Sequence, residues 1–246
     1  MAPMSVWKLL GILFAILLGL GAILFVRQTY TYYQAIRSGE ANPLLDRRLE
    51  STVSRLVANR NVSDEDLALL ADPKAPSQGP ADAPLTIVEF LDYGCPYCRA
   101  AFEPVRELAL ERPGQIRLII RDFPLEDLHP GATKAAAGAR CAQEQGKFWA
   151  YHDKLFLADQ RSFEESDLFD IAREISLNVS KFTECVGSGR AAELVQADQV
   201  VGLRVGVQGT PTFFFNGVKV QGAPDAEALN YIVDEFLSRT ANPATP

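Results

Sequence analysis

The spacing of hydrophobic positions changes along this chain, and each spacing predicts a different element. An uncharged apolar run extends from Leu9 to Val26. As a helix it would span about 27 Å, close to the hydrocarbon thickness of a bilayer. From Asn42 to Arg60, apolar residues recur three or four positions apart, which is typical of an amphipathic helix. Ser63, followed by three acidic residues, predicts a short capped helix through Leu70.

These patterns divide the N-terminal part of the chain into three segments. Residues 1–28 are expected to be a transmembrane anchor, because the apolar core of a cleaved signal peptide is usually only about 7–15 residues long. A removed signal peptide is the alternative. Residues 29–72 are expected to form a helical stalk, whose apolar stripe packs on the following domain or pairs with copies in a homo-oligomer. The Pro- and Gly-rich residues 73–84 predict a linker.

The rest of the chain predicts a mixed α/β domain over residues 85–240, with a short tail at 241–246. Two buried strands flank a helix, and their order predicts a parallel pair. A mainly helical block follows over about 125–205. The Asn216-Gly217 dipeptide predicts a hairpin turn before a terminal helix. The strands and the terminal helix are Thr86–Leu91, Ile116–Ile120, Thr212–Phe215, Val218–Gln221 and Asp225–Ser238.

Composition and charge exclude some classes of function. With 246 residues, 48% of them hydrophobic, the chain can bury a sizeable core. Its net charge of −7, with no basic stripe, argues against nucleic-acid binding. His129 and His152 are the only histidines and lack metal-ligand spacing. We therefore expect no metal, and we interpret both histidines as structural or surface residues.

The Cys95-x-x-Cys98 pair is the strongest chemical signal in the sequence. Gly94 ends the preceding strand and Pro96 suits the first turn of a helix, which places Cys95 at a helix N-terminus. Unpaired N–H groups there favour a thiolate. The pattern predicts a redox pair in which Cys95 attacks and Cys98 resolves. A zinc half-site and a purely structural disulfide in a binding module are the alternatives.

Three separated motifs resemble the DsbA-like thiol-disulfide oxidoreductases of the thioredoxin superfamily. They are Cys95-Pro96-Tyr97-Cys98, the segment from Lys147 to Phe156, and Gly209-Thr210-Pro211 before a strand. The resemblance covers about Leu85 to Ser238. It implies a thioredoxin-like α/β fold with a helical insertion between the second strand and the cis-proline strand. It implies no cofactor.

The resemblance also implies roles for single residues. Pro211 would be a cis-proline facing the cysteine pair, and Gly209 and Thr210 would join it in binding an extended substrate. Glu89 matches a buried acid that relays the proton of the resolving cysteine, although its carboxylate would alternatively reach solvent. Pro96 and Tyr97 would tune the pair, with Tyr97 standing where the most oxidising relatives have a histidine.

Cys141 and Cys185 remain, and their helices lie in the predicted insertion. They would form a structural disulfide or stay as two buried thiols. A disulfide belongs in an oxidising compartment, which places the bulk of the chain outside the cytoplasm. We expect the catalytic domain to be membrane-anchored on the periplasmic or cell-surface side of a bacterial inner membrane. The alternative is a protein that is secreted after its signal peptide is cleaved.

These expectations combine into a thiol-disulfide oxidoreductase acting on secreted or envelope proteins that contain cysteines. The favoured activity is that of an oxidase that a membrane redox partner reoxidises. The alternative is a disulfide isomerase or reductase that oligomerises through its N-terminal helix.

Overall fold

A computed structural model of the chain describes residues 6–38, 62–158 and 163–241. The chain divides into two units, Met1–Thr52 and Val53–Pro246. The first unit contains one long helix, α1 (Val6–Ser38). Its window Phe14–Thr31 has a mean hydropathy of 1.4, so by length and composition the helix is able to cross a membrane. A signal sequence near the N-terminus would meet the same criteria. The amphipathic helix predicted over Asn42–Arg60 lies outside the described residues.

The second unit is built on a five-stranded sheet with the order β1-β3-β2-β4-β5. The strands are β1 (Ser77–Gln78), β2 (Leu85–Leu91), β3 (Ile116–Asp122), β4 (Thr212–Phe215) and β5 (Val218–Gln221). β2 and β3 are parallel, as predicted, and the other pairs are antiparallel. β1 lies within the segment predicted as a linker and pairs with the edge of β3.

Both faces of β2 are covered, which explains its nearly continuous apolar sequence. Side chains alternate between faces along a strand. Ile87 and Leu91 therefore belong to one hydrophobic cluster, whereas Val88 and Phe90 belong to another on the opposite face. Glu89 has the same parity as Ile87 and Leu91, and this face carries the helix that begins at the cysteine pair.

Eight helices surround the sheet in the described part of the second unit. They are α2 (Asp64–Leu70), α3 (Pro96–Glu111), α4 (Ala132–Gln143), α5 (Phe148–Leu157), α6 (Glu165–Glu174), α7 (Val179–Ser188), α8 (Arg190–Arg204) and α9 (Ala226–Ala241). Residues of α3 and α9 pack against Ile87 and Leu91 in the first cluster. The helices α4 to α8 form the insertion between β3 and β4 that the resemblance implied.

Two internal links fasten the insertion. A disulfide between Cys141 and Cys185 joins α4 to α7, with a Cα–Cα distance of 5.7 Å. Arg140 on α4 is buried and pairs with Asp122 at the end of β3, at 2.5 Å, and with Asp198 on α8. Because a buried charge is costly unless it is paired, this cluster fixes both helices against the sheet.

Candidate active site

A short turn connects the carboxyl end of β2 to the start of α3 and presents Cys95, with Cys98 in the first turn of the helix. Cys95 is the N-cap of α3, with φ −76° and ψ 124°, and Pro96 occupies the first turn of the helix. The backbone N–H of Cys95 donates a hydrogen bond to the carbonyl oxygen of Asp92, at 3.1 Å. The free N–H groups of the first helical turn therefore lie next to the Cys95 sulfur.

Cys95 faces a loop that is distant in sequence. Its Sγ lies 3.3 Å from the carbonyl oxygen of Thr210, and the Thr210–Pro211 peptide bond is cis. Hydrogen bonding from Cys98 is the largest influence on Cys95 and lowers its pKa to about 5, with further lowering by Thr210 and by backbone N–H groups of α3. At neutral pH this sulfur is a thiolate, the form that attacks a disulfide.

Cys98 has the opposite character. It is fully buried, whereas Cys95 retains 4% exposure. The N–H of Asp92 donates to its Sγ at 3.4 Å. Burial, and then the neighbouring Cys95, raise the pKa of Cys98 well above its ordinary value. The two thiols therefore differ as a nucleophile and a resolving thiol must, and Cys98 needs a proton acceptor before it reacts.

Glu89 is a buried acid whose charge acts on Cys98. It is only 3% exposed, and burial raises the pKa of its carboxyl group to about 8. Glu89 is also among the groups that raise the pKa of Cys98. A carboxyl group that titrates near neutral pH beside a protonated thiol has the properties of a proton relay.

The mouth of the site combines the exposed ring of Tyr97 with the cis-proline loop. Tyr97 is 66% exposed. The Gly209 carbonyl accepts a hydrogen bond from the Thr212 hydroxyl at 2.7 Å, which holds the loop against β4. The Thr210 Oγ1 is buried and has no hydrogen-bond partner among the described residues.

The site also contains Asp92 and Tyr93, for which the sequence predicts no role, and the two histidines interpreted above as structural or surface residues. Asp92 lies in the turn itself, and its carboxylate contacts the ring of His129, whose Nδ1 is 2.7 Å from Asp92 Oδ2. The hydroxyl of Tyr93 lies 3.0 Å from Nδ1 of His152. Both contacts to an imidazole join the turn to the insertion, across separations of 37 and 59 residues. Local sequence patterns contain no signal for contacts of that range.

His152 occupies an aromatic enclosure beneath the turn. Rings of five residues surround it with centroid distances of 5.1–5.7 Å, namely Tyr93, Phe102, Phe148, Trp149 and Phe156. Burial, and then the positive charge of Arg106, lower the pKa of His152 to about 3. The imidazole is therefore neutral at physiological pH and acts as a hydrogen-bond partner for Tyr93.

Known proteins match the domain that carries this site. Residues 71–235 match the family model described as Thioredoxin. A curated relative, Na(+)/H(+) antiporter NhaA 3 of Salinispora tropica, is 38% identical over 180 residues, which are 72% of this chain and 27% of that protein. The chain thus spans about a quarter of that relative's length.

Solved structures share the fold. A thioredoxin-like oxidoreductase from Silicibacter pomeroyi DSS-3 is 29% identical, with a TM-score of 0.63, and the match covers 75% of this chain and 100% of that one. The thiol-disulfide exchange protein alpha-DsbA2 from Wolbachia pipientis is 24% identical, with a TM-score of 0.62, over 79% and 99% of the two chains.

Proposed function

This chain belongs to the thioredoxin family, and from that premise we propose that it is an extracytoplasmic thiol-disulfide oxidoreductase that oxidises cysteines of secreted or envelope proteins. One observation carries the proposal: Cys95 caps the helix beside the cis-Pro211 loop with its pKa lowered to about 5, while the pKa of the buried Cys98 one turn later is raised. A purely structural disulfide does not require its two thiols to differ in pKa, whereas an exchange reaction requires one thiol that attacks and one that resolves.

The reaction proceeds in two exchanges. A substrate thiolate attacks Sγ of Cys95 in the Cys95–Cys98 disulfide, forming a mixed disulfide and releasing the Cys98 thiolate, which takes a proton from Glu89. A second substrate thiolate then attacks the substrate sulfur of the mixed disulfide and releases Cys95 as a thiolate. The substrate has lost two electrons and the pair has gained them. Reduction of a substrate disulfide follows the same steps in reverse.

The acidity of Cys95 supports the oxidising direction. A pKa of about 5 lies between the values of about 7 for thioredoxin and about 3.5 for DsbA. Stabilising the thiolate stabilises the reduced enzyme, so its disulfide is more readily transferred to a substrate.

Substrate and partner assignments extend this proposal. The loop Gly209–Pro211 would align an extended substrate backbone beside Cys95, with Tyr97 at its edge. Residues 1–28 would anchor the protein in the membrane, or be removed as a signal. The predicted stalk, residues 29–72, would connect that segment to the catalytic domain, whose sheet includes β1 from the predicted linker. A membrane protein that carries its own disulfide would reoxidise Cys95 and Cys98 by accepting two electrons.

Ion transport is not part of the proposal. The relative named as an antiporter is matched over only 27% of its length. Within the described residues of this chain, one helix is long and apolar enough to cross a membrane.

The test is the reduction potential of the Cys95–Cys98 pair in a glutathione buffer, together with refolding of a reduced substrate protein. We expect a potential nearer to about −120 mV than to about −270 mV, with catalysed oxidation of the substrate. The Cys95→Ser variant should lose all activity, and Cys98→Ser should accumulate mixed disulfides. A potential near that of thioredoxin would make the protein a reductase, and full activity of Cys95→Ser would remove the proposed chemistry.

A further inference from the structure

The turn that carries both cysteines is held through a single carboxylate. The two oxygens of Asp92 are fully buried and accept three hydrogen bonds. Oδ1 accepts from the N–H of Gly94 at 2.7 Å, inside the turn. Oδ2 accepts from the N–H of Leu125 at 2.8 Å and lies 2.7 Å from Nδ1 of His129. The Asp92 side chain thus joins the turn to the segment that follows β3.

The backbone of the same residue contacts both cysteines. The carbonyl oxygen of Asp92 accepts from the N–H of Cys95 at 3.1 Å, and its N–H donates to Sγ of Cys98 at 3.4 Å. A displacement of Asp92 therefore moves the start of α3 and the hydrogen bond to the buried sulfur together.

His129 packs directly on this turn. A Cβ added at Gly94 would lie 2.5 Å from Cβ of His129, a distance that real Cβ atoms essentially never show. The position needs glycine because the histidine occupies the space. The His129 side chain keeps 20% exposure, so the imidazole lies between the buried carboxylate and solvent.

The segment that carries His129 is itself fastened at several points. The N–H of Phe123 donates to the carbonyl of Leu91, and the N–H of His129 donates to the carbonyl of Leu125, both at 2.8 Å. The Glu126 carboxylate accepts from the N–H groups of Gly131 and Thr133, at 2.8 and 2.9 Å. His129 is therefore a fixed support rather than a loop side chain that swings.

We propose that His129 is a positioning residue for the cysteine pair: its Nδ1–H holds the Asp92 carboxylate, and Asp92 in turn sets the geometry at Cys95 and Cys98. The inference rests on the proposed function and adds to it a residue that lies outside the Cys-x-x-Cys motif. Without the imidazole, the buried carboxylate keeps only its two backbone donors, so the turn is held less firmly and the hydrogen bonds that stabilise the Cys95 thiolate lose their alignment.

Three substitutions of His129 distinguish the effect of losing its hydrogen bond to Asp92 from the effects of changing side-chain size and polarity. His129→Asn places an amide N–H where Nδ1 lies. His129→Gln places its amide near the position of Nε2, away from Asp92, and His129→Ala removes the ring altogether. Asp127→Ala, at an exposed position of the same loop, is the matched control. The full-length reduced protein is alkylated with iodoacetamide over a range of pH, and modification of Cys95 is followed by mass spectrometry.

We expect His129→Ala and His129→Gln to raise the apparent pKa of Cys95 by about half a unit or more, a roughly threefold fall in thiolate fraction at pH values below that pKa. His129→Asn should recover most of the shift, and Asp127→Ala should leave it unchanged. A lower melting temperature with an unchanged Cys95 pKa in the Ala and Gln variants would overturn the inference. Equal shifts in the Asn and Gln variants would also overturn it.

The wild-type titration separates this inference from the proposed function. A Cys95 pKa near the ordinary thiol value, with no exchange activity, would remove the proposed function itself. A low Cys95 pKa that none of the His129 variants changes would remove only the positioning role.

Discussion

Sγ of Cys95 lies 3.3 Å from the carbonyl oxygen of Thr210, although 115 positions separate the two residues along the chain. The sheet creates this contact. β4 pairs antiparallel with β2 so that Thr212 lies opposite Phe90, which brings the residues before β4 beside the turn that follows β2. The reactive sulfur and the substrate-binding loop of the proposed enzyme are therefore placed by one strand register.

The hydroxyl of Thr210 should contribute to the acidity of Cys95. Hydrogen bonding from the Thr210 side chain is among the influences that lower the Cys95 pKa, and its buried Oγ1 has no other hydrogen-bond partner among the described residues. We expect Thr210→Val, which keeps the shape and removes the hydroxyl, to raise the Cys95 pKa by about 0.5–1 unit with little change in stability. The Cys95 pKa is measured from the thiolate absorbance at 240 nm as a function of pH.

A neighbouring hydroxyl supplies the control for that experiment. Thr212 donates to the Gly209 carbonyl rather than toward Cys95. Thr212→Val should therefore lower the free energy of unfolding and change the Cys95 titration less than Thr210→Val does. Identical titrations of wild type and Thr210→Val would show that the hydroxyl plays no part.

Burial of Glu89 should make the protein less stable as the pH rises. Its folded pKa of about 8 lies above the ordinary value of 4.5, so between these pH values the unfolded chain releases a proton that the folded protein retains. Stability is lost over that window, by up to about 1.4 kcal/mol per pH unit. Glu89→Gln should remove this loss and be more stable than wild type at pH 8.

Urea unfolding at pH 5, 6.5 and 8 tests the Glu89 prediction. The disulfide form of the protein is used, so that neither active-site thiol titrates. The stability difference between Glu89→Gln and wild type should shrink toward pH 5, and a difference that does not depend on pH would contradict the burial argument.

Burial of His152 should make the protein less stable as the pH falls. Its folded pKa of about 3 lies below the ordinary 6.5, so as the pH falls through this window only the unfolded chain takes up the proton. Stability is then lost with falling pH, again by up to about 1.4 kcal/mol per unit. The double variant Tyr93→Phe/His152→Phe should show a shallower acid dependence than wild type.

The single Tyr93→Phe variant serves as the comparison. It leaves Nδ1 of His152 buried without its partner at 3.0 Å and should lower the free energy of unfolding by about 1–3 kcal/mol at pH 7. Replacing both partners by apolar rings should lower the free energy of unfolding much less. If the double variant is as unstable as the single one, the hydrogen bond is not the stabilising element.

The Cys141–Cys185 disulfide should stabilise the insertion without taking part in exchange. Its cysteines are 44 positions apart and buried. For a loop of that length, chain entropy gives about 4 kcal/mol, so Cys141→Ala/Cys185→Ala should lose stability on that scale in denaturant unfolding. Removing Cys95 and Cys98 in the same way opens a far shorter loop and should cost less. Equal losses would argue against the chain-entropy explanation.

The sequence by itself determined the local parts of this protein. The strand, the turn at Gly94 and the helix beginning at Pro96 follow from residues that are neighbours in the chain, as does the Asn216-Gly217 hairpin. The parallel β2–β3 pair follows from the order strand, helix, strand. Backbone preferences and side-chain periodicity act over a few residues, so one sequence contains enough information to place these elements. The reactive pair was found for the same reason.

Only the tertiary structure decided which distant groups complete the site. His129 on Asp92, His152 under Tyr93 and the short strand β1 in a segment that reads as a linker all depend on packing between elements. Neither histidine has a sequence neighbour that points to its partner. Burial then sets the protonation states of two groups, because it keeps His152 neutral and Glu89 protonated near pH 7. Those effects exist only once the chain has closed around the groups.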